Sequence, residues 1–146
     1  MGALLDATVL IDLERRHRRQ PASEAMGTVA WQLARALGPD EEFAIAAVTA
    51  SELLHGVHRA GAEHRPRREA FVEAALDFLT TIPFDLRTAR IHAQVWSRLA
   101  AAGKDIGAHD RLIAATALAH GWRLVTANVR HFRQVPGLDL VELSLD

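Results

Sequence analysis

Three carboxylates, Asp6, Glu52 and Asp110, are the residues of this chain whose placement best suits chemistry. Each stands where an apolar segment gives way to the start of a helix. In a parallel sheet such positions fall along one edge, where α/β proteins bind ligands. Two negative charges about 4 Å apart at a protein surface repel each other by roughly 4 kcal/mol, and a divalent cation between them reverses the sign of that energy. The three residues therefore predict a metal site.

Further oxygen donors lie close to these acids along the chain. Thr8 follows Asp6 by two residues, and Thr126 and Asn128 stand at the end of a short apolar strand. Carboxylate, hydroxyl and amide oxygens suit Mg²⁺ or Mn²⁺ rather than Zn²⁺, and the chain has no cysteine that could supply a thiolate. Because magnesium keeps several waters when it is bound, we expect a metal-activated water that attacks a phosphodiester.

The acids are positioned by predicted strands and helices. Asp6 directly follows the apolar run at residues 3–5, and the apolar spacing after it predicts a helix from residue 8 to about residue 17. Residues 43–48 form a buried strand candidate, and Thr49-Ala-Ser-Glu52 then matches the capping box S/T-x-x-E. This match places Glu52 in the first turn of the next helix.

The remaining elements are predicted from the same patterns. Ser23 would cap a second helix that reaches Gly38, and Asp85 would cap a helix that ends at Gly103. The others are a helix at 67–79, a strand at 80–82, a helix from about 108 to Gly121 with Asp110 in its first turn, a strand at 123–126, a helical turn at 131–132 and a last strand at 138–143. Strands that alternate with helices indicate an α/β fold, with a small parallel sheet flanked by helices on both faces.

Length and composition limit the classes of protein that remain. The 146 residues suit a single domain, 1–146, and a 49% hydrophobic content with only 5% aromatic residues disfavours an all-β fold. No run approaches about 18 uninterrupted apolar residues, and the start of the chain lacks the basic and apolar segments of a signal peptide. We therefore expect no membrane association and a cytoplasmic location, with which the lack of cysteine agrees.

A net charge of −1 conceals two dense basic patches. The first holds Arg15, Arg16, Arg18 and Arg19, and the second covers residues 64–68. Such patches can contact the phosphates of RNA, but a solvated loop at the end of a helix has the same composition. Only the acidic site nearby favours an RNA-binding role for the first patch.

Taken together, these residues resemble the PIN-domain ribonucleases, and more narrowly the VapC-type toxins of bacterial toxin–antitoxin pairs. The matching stretches are LLDATVLIDL at 4–13, VTASELLHG at 48–56, IGAHDRLIAATAL at 106–118, LVTAN at 124–128, HF at 131–132 and VPGL at 135–138. They extend over essentially the whole chain, and the stretches after residue 105 are the most specific.

The resemblance implies a PIN fold, an acidic pocket that binds Mg²⁺ or Mn²⁺, and endonucleolytic cleavage of RNA that inhibits translation and growth. Asp6, Glu52 and Asp110 match the three acidic metal-site residues of the family, and Thr8 matches its hydroxyl or amide position near the first aspartate. The fourth position, often aspartate in the family, is Asn128 here. Asparagine removes one charge from the pocket, which weakens the case for a tightly held second metal.

The resemblance also implies partners. A small VapB-like antitoxin would lie across the toxin and mask the acidic pocket, and the toxin itself would form a homodimer. Nothing in the composition of the chain points to either partner.

Other readings of these residues remain open. A metal-free nuclease would use a pair of imidazoles as general acid and base, and His55, His58 and His64 suggest either a metal cluster or a solvated helix face. A PIN-like module that binds RNA or protein without cleavage would need a broken acidic set. A phosphatase with Asp6 as its nucleophile would need a second aspartate at the position of Thr8.

Overall fold

The computed structural model describes residues 2–143, which form five strands and seven helices. The strands are β1 (Gly2–Leu5), β2 (Glu42–Ala46), β3 (Thr80–Ile82), β4 (Arg123–Thr126) and β5 (Leu140–Glu142). The helices are α1 (Ala7–Arg16), α2 (Ala22–Leu37), α3 (Ala47–Arg59), α4 (Arg65–Phe78), α5 (Leu86–Ala101), α6 (Ala108–His120) and α7 (Val129–Phe132). This alternation of strands with single or paired helices is the one that the sequence predicts.

The strands form one parallel sheet in the order β3-β2-β1-β4-β5. In the central strand, Leu4 pairs with Ala44 of β2 and with Leu124 of β4. All four residues of β1 are buried, because helices cover both faces of the sheet. The predicted α/β fold class is confirmed. Since all described strands point the same way, Asp6 and Thr126 reach the same edge.

Side chains that alternate along the strands enter two separate hydrophobic cores. Ala3 and Leu5 join one core, and Leu4 joins the other, because successive side chains of a strand point to opposite faces. The first core also contains buried residues of α1, α2, α3 and α4. The second contains those of α5, α6 and α7. The helices are thus divided by sheet face, with α1–α4 on one side and α5–α7 on the other.

The turn between α1 and α2 is tied to the start of α4. The guanidinium of Arg67 donates to the carbonyl oxygen of His17 at 3.0 Å and also to that of Gln20. Two hydrogen bonds from one planar side chain fix this turn beside α4. The arginines at the end of α1 are therefore held close to the second basic patch, although some 50 residues separate the two in the sequence.

The start of α3 differs from the prediction. β2 ends at Ala46 and α3 begins at Ala47, so that Thr49 is a buried residue inside the helix. No side chain caps α3, and the capping-box interpretation was wrong. An alanine-rich segment is as compatible with a helix as with a buried strand, which is why the pattern misplaced the boundary. Glu52 consequently lies in the second turn of α3, free of any capping role.

Other element ends agree with the prediction to different degrees. Asp85 caps α5, since its Oδ1 accepts from the backbone N–H of Thr88 at 2.9 Å, and Gly121 ends α6 with φ of 63°. The expected cap at Ser23 was wrong, because α2 begins at Ala22 after Pro21. α4 starts at Arg65, α5 ends at Ala101, and β5 is shorter than expected. Within residues 2–143, no helix is both long and apolar enough to cross a membrane.

Candidate active site

Asp6 lies between the ends of β1 and β4. Its backbone N–H donates to the carbonyl oxygen of Val125 at 3.0 Å, which continues the pairing of the two strands. Its side chain is almost wholly buried, and Oδ2 accepts from the hydroxyls of Thr8 at 3.0 Å and Thr126 at 2.8 Å. A buried carboxylate requires such donors, since burial of an unpaired charge is costly. Although Asp6 precedes α1 directly, its side chain makes no capping hydrogen bond.

Thr126 links Asp6 to the loop that follows β4. Its hydroxyl is fully buried, donates to Asp6 and accepts from the backbone N–H of Asn128 at 2.9 Å. The Asn128 side chain is exposed and makes no hydrogen bond to any residue in the described part of the chain. The role of Asn128 as a fourth oxygen donor therefore stays a prediction, whereas its backbone has a defined place beside the acid.

Asp110 reaches the site from the first turn of α6. Its Oδ2 lies 2.9 Å from Nδ1 of His131, and about a quarter of its side chain is exposed. Burial raises the pKa of Asp110, and the negative charge of Asp6 raises it further, while the neighbouring His131 lowers it. Because the charge of Asp6 acts on Asp110, the two acids lie close together in the fold. The sequence predicts this, although more than 100 residues separate them.

Glu52 approaches from α3. Its Oε2 lies 3.8 Å from Nδ1 of His109, and Oε1 is buried with no hydrogen-bond partner among residues 2–143. Burial raises the pKa of Glu52, and the charges of Asp6 and Asp110 add to that rise, whereas His109 opposes it. Glu52 thus has a buried oxygen that lacks a donor, inside a field that disfavours its own negative charge.

The predicted acids therefore influence one another, but they do not form a closed cage. As the side chains lie, no three histidine, aspartate or glutamate groups in the described range converge closely enough to hold one ion. Glu52 and Asp110 are turned towards His109 and His131 instead. The donor set still fits a hard divalent cation, because it offers carboxylate and hydroxyl oxygens. A cation would also offset the burial and the mutual repulsion that raise the pKa values of Glu52 and Asp110.

The two histidines at the site were missed by the sequence analysis. His109 stands beside Asp110 in the chain, and His131 belongs to one of the matching stretches, so adjacency and the resemblance both offered a signal. Each contacts a carboxylate. The alternative cluster of His55 and its neighbours forms no metal-holding group within residues 2–143.

The four arginines of the first basic patch do not act as one surface. Arg16 forms an ion pair of 3.4 Å with Asp12, one turn earlier on α1. Arg15 and Arg18 line a pocket together with Arg67 and Arg68, and Arg19 is exposed. Arginines that are adjacent in the sequence therefore have different surroundings in the fold.

Known proteins resemble this chain over nearly its whole length. Residues 3–138 match the family model of the PIN domain. Ribonuclease VapC1 of Rickettsia felis is 32% identical over 145 residues, which cover 99% of this chain and 98% of that protein.

Solved structures agree with this match. The crystal structure of VapBC2 from Rickettsia felis, bound to a DNA fragment from its promoter, aligns with a TM-score of 0.81 and 23% identity over 99% of this chain and 100% of that chain. VapBC-5 from Mycobacterium tuberculosis, of the VapBC family of toxin–antitoxin systems, gives a TM-score of 0.73 and 26% identity over 97% and 98%. Family match, sequence identity and fold agree, and the chain therefore belongs to the PIN domain family, in its VapC branch.

Proposed function

We propose that this chain is a metal-dependent endoribonuclease and the toxin of a VapBC-type toxin–antitoxin pair. The observation that carries the proposal is the buried Asp6 carboxylate between β1 and β4, whose charge adds to the burial that raises the pKa of both Glu52 and Asp110. Carboxylates with raised pKa values that converge at the edge of a parallel sheet are typical of functional sites. The relative from Rickettsia felis, which is a ribonuclease by name, supports the same activity.

Asp6, Glu52 and Asp110 would hold Mg²⁺ or Mn²⁺, with the Thr8 hydroxyl and the Asn128 amide as further oxygens. When bound, the ion supplies charge neutralisation and a water activated for attack on the phosphodiester. Thr8 and Thr126 both donate to one oxygen of Asp6, which fixes the orientation of that carboxylate. Without neutralisation, the acids would repel the phosphate of the substrate.

A VapB-like antitoxin is the protein partner of this chain. The structural relatives are VapBC assemblies, and a segment that covers the acidic edge of the sheet would close the site to RNA. We also propose that the toxin forms a homodimer, which light scattering on the purified chain would test. We also propose a cytoplasmic location, because the proposed RNA substrate is made and used there; a chain that has no cysteine agrees with it.

A PIN-like module that binds without cleavage is the remaining alternative. It would be favoured by a broken acidic set, but all three acids are present and their charges interact. The geometry thus favours catalysis over passive binding.

The first experiment is cleavage of total RNA by the purified, antitoxin-free chain in Mg²⁺ or Mn²⁺, and again in excess EDTA. We expect discrete fragments that vanish in EDTA, and their sequenced ends would name the target. The melting temperature should also rise with Mn²⁺ when RNA is absent, because the ion binds the folded state alone. Cleavage that survives EDTA would favour the imidazole mechanism, and no cleavage under either condition would favour the binding module.

A further inference from the structure

A basic cavity leads away from the acidic site between α1, α3 and α4. It has a volume of about 800 Å³, and Thr8 and Glu52 line one end of it. Its arginine and histidine side chains beyond the site, which we call the basic trough, are Arg15, His55, Arg59, His64 and Arg68. The cavity therefore connects the acidic site to a surface of opposite charge.

The trough continues into a second, smaller pocket of about 280 Å³, which we call the far-end pocket. Four arginines line it: Arg15, Arg18, Arg67 and Arg68. The only carboxylate among its lining residues is Glu14, which is buried and lies 3.6 Å from Nε of Arg68. The arginines outnumber this acid, so the pocket carries a positive charge that suits an anion.

Part of this surface is fixed, and part is free to bind. Arg67 is held by the α1–α2 turn, and Arg68 lies against Gly56 of α3, where a Cβ atom would stand 3.6 Å from its guanidinium. Arg15 and Arg59 are exposed, and neither side chain has a hydrogen-bond or ion-pair partner within residues 2–143. The fixed arginines shape the pocket, and the free ones remain available to a ligand.

On both α1 and α3, an arginine lies seven residues after a residue of the acidic site. Arg15 follows Thr8 by seven residues on α1, and Arg59 follows Glu52 by seven residues on α3. Seven residues span roughly 10 Å along a helix, which is about one Debye length in 0.1 M salt. Neither arginine pairs with the acids of the site within residues 2–143, so both remain available to a phosphate of a strand that passes the site.

We propose that the basic trough binds the RNA backbone on one side of the cleaved bond and that the far-end pocket holds one of its phosphates. The proposal rests on the proposed function, because it assigns the trough to the same RNA. An acidic peptide would be attracted by the same charges. The RNA strand fits better, since the cavity opens onto the residues that would cleave it, and a bound backbone would pass from arginines to acids without leaving the surface.

The test is binding without cleavage. Fluorescence anisotropy in EDTA would measure the Kd of a labelled single-stranded RNA of about 12 nucleotides across a range of KCl concentrations. The trough variant carries Arg15→Gln, Arg18→Gln and Arg59→Gln, and keeps the two arginines that hold the turn and Glu14. The control variant carries Arg87→Gln, Arg90→Gln and Arg98→Gln, all exposed on α5 on the other sheet face. Both variants lose the same charge.

In the trough variant we expect the Kd to rise roughly tenfold or more, and the slope of log K against log salt to fall by about 2, as expected when three phosphate contacts to a single strand are lost. The control should stay within about twofold of the wild type. Equal losses in both variants, a loss only in the α5 variant, or no binding by the wild type would overturn the proposal. A trough variant that binds RNA normally but fails to co-purify with the antitoxin would also overturn the proposal, because that result would assign the trough to the protein partner.

The trough and the nuclease can fail separately. Cleavage in Mg²⁺ by the wild type, together with normal RNA binding by the trough variant, overturns the trough alone. Binding that depends on the trough, with no metal-dependent cleavage, leaves the trough in place and overturns the nuclease.

Discussion

Asp6 is held differently from the two acids that face it. It lies at the end of a central strand, enclosed, with two hydroxyls on a single oxygen. Glu52 and Asp110 lie on helices, are a quarter to a third exposed, and rest against histidines. Burial and the charge of Asp6 raise the pKa of both. We infer that the sheet supplies one rigid anchor and that the helices supply two acids able to move onto an ion.

The largest expected effect tests whether all three acids serve one site. Asp110→Asn keeps the shape of the side chain and removes its charge, so we expect RNA cleavage to fall about a thousandfold, equivalent to roughly 4 kcal/mol in the barrier. Growth inhibition should disappear while the melting temperature stays at or above that of the wild type. Asp77→Asn, an exposed acid on α4, is the control and should cleave normally. Full activity in Asp110→Asn would refute the site assignment.

The rigid anchor predicts an intermediate effect. Thr126→Val removes a buried hydroxyl that both donates to Asp6 and accepts from Asn128, which should cost about 1–3 kcal/mol in the free energy of unfolding. Because the substitution misorients Asp6, an acid of the proposed metal site, cleavage should also fall roughly 10- to 100-fold.

Thr8→Val is the matched comparison for this variant. It removes one hydrogen bond of an exposed residue, so both losses should be smaller. Thermal melts and initial cleavage rates of the two variants would measure the difference. Equal effects would show that β4 does not anchor the acid more firmly than α1 does.

The contrast between anchor and helices also separates what the sequence predicts from what it misses. Thr126 and Asp6 are 120 residues apart, yet their meeting follows from parallel strands that share an edge. The C-terminal end of α6 was equally predictable from the sequence, because Gly121 is a strong signal for the end of a helix. The capping box at Thr49 and the cap at Ser23 were wrong because α2 and α3 begin before these residues and have no side-chain cap.

The histidine contacts required three-dimensional information. Which side chain meets Glu52 depends on how α3 and α6 are rotated against each other, and spacing along one chain does not fix that rotation. The first basic patch shows the same limit, since Arg15 lines the trough and Arg16 pairs with Asp12 although the two arginines are adjacent. Element order was predictable from local patterns, whereas the direction of exposed side chains was not.

The smallest expected effect concerns stability and tests the adjustable acids. The pKa of Glu52 lies above its ordinary value of 4.5, so the folded chain binds this proton more tightly than the unfolded chain does. Below the ordinary value both states are protonated, and the burial of the carboxyl carries no ionisation penalty. As the pH rises above it, the unfolded chain ionises first, and the folded state loses stability until the pH passes the raised value.

Glu52→Gln removes this penalty and keeps the size of the side chain. In EDTA at neutral pH the variant should therefore melt roughly 2 °C above the wild type. The difference should vanish at about pH 4, where the wild-type carboxyl is protonated in both the folded and the unfolded state. Mn²⁺ should reverse the order, because only the wild type retains the full set of acids to bind it. Melting curves across pH, with and without the ion, measure all three. A variant that melts below the wild type in EDTA would mean that the Glu52 charge stabilises the fold, which contradicts the raised pKa that burial and the charge of Asp6 give to Glu52.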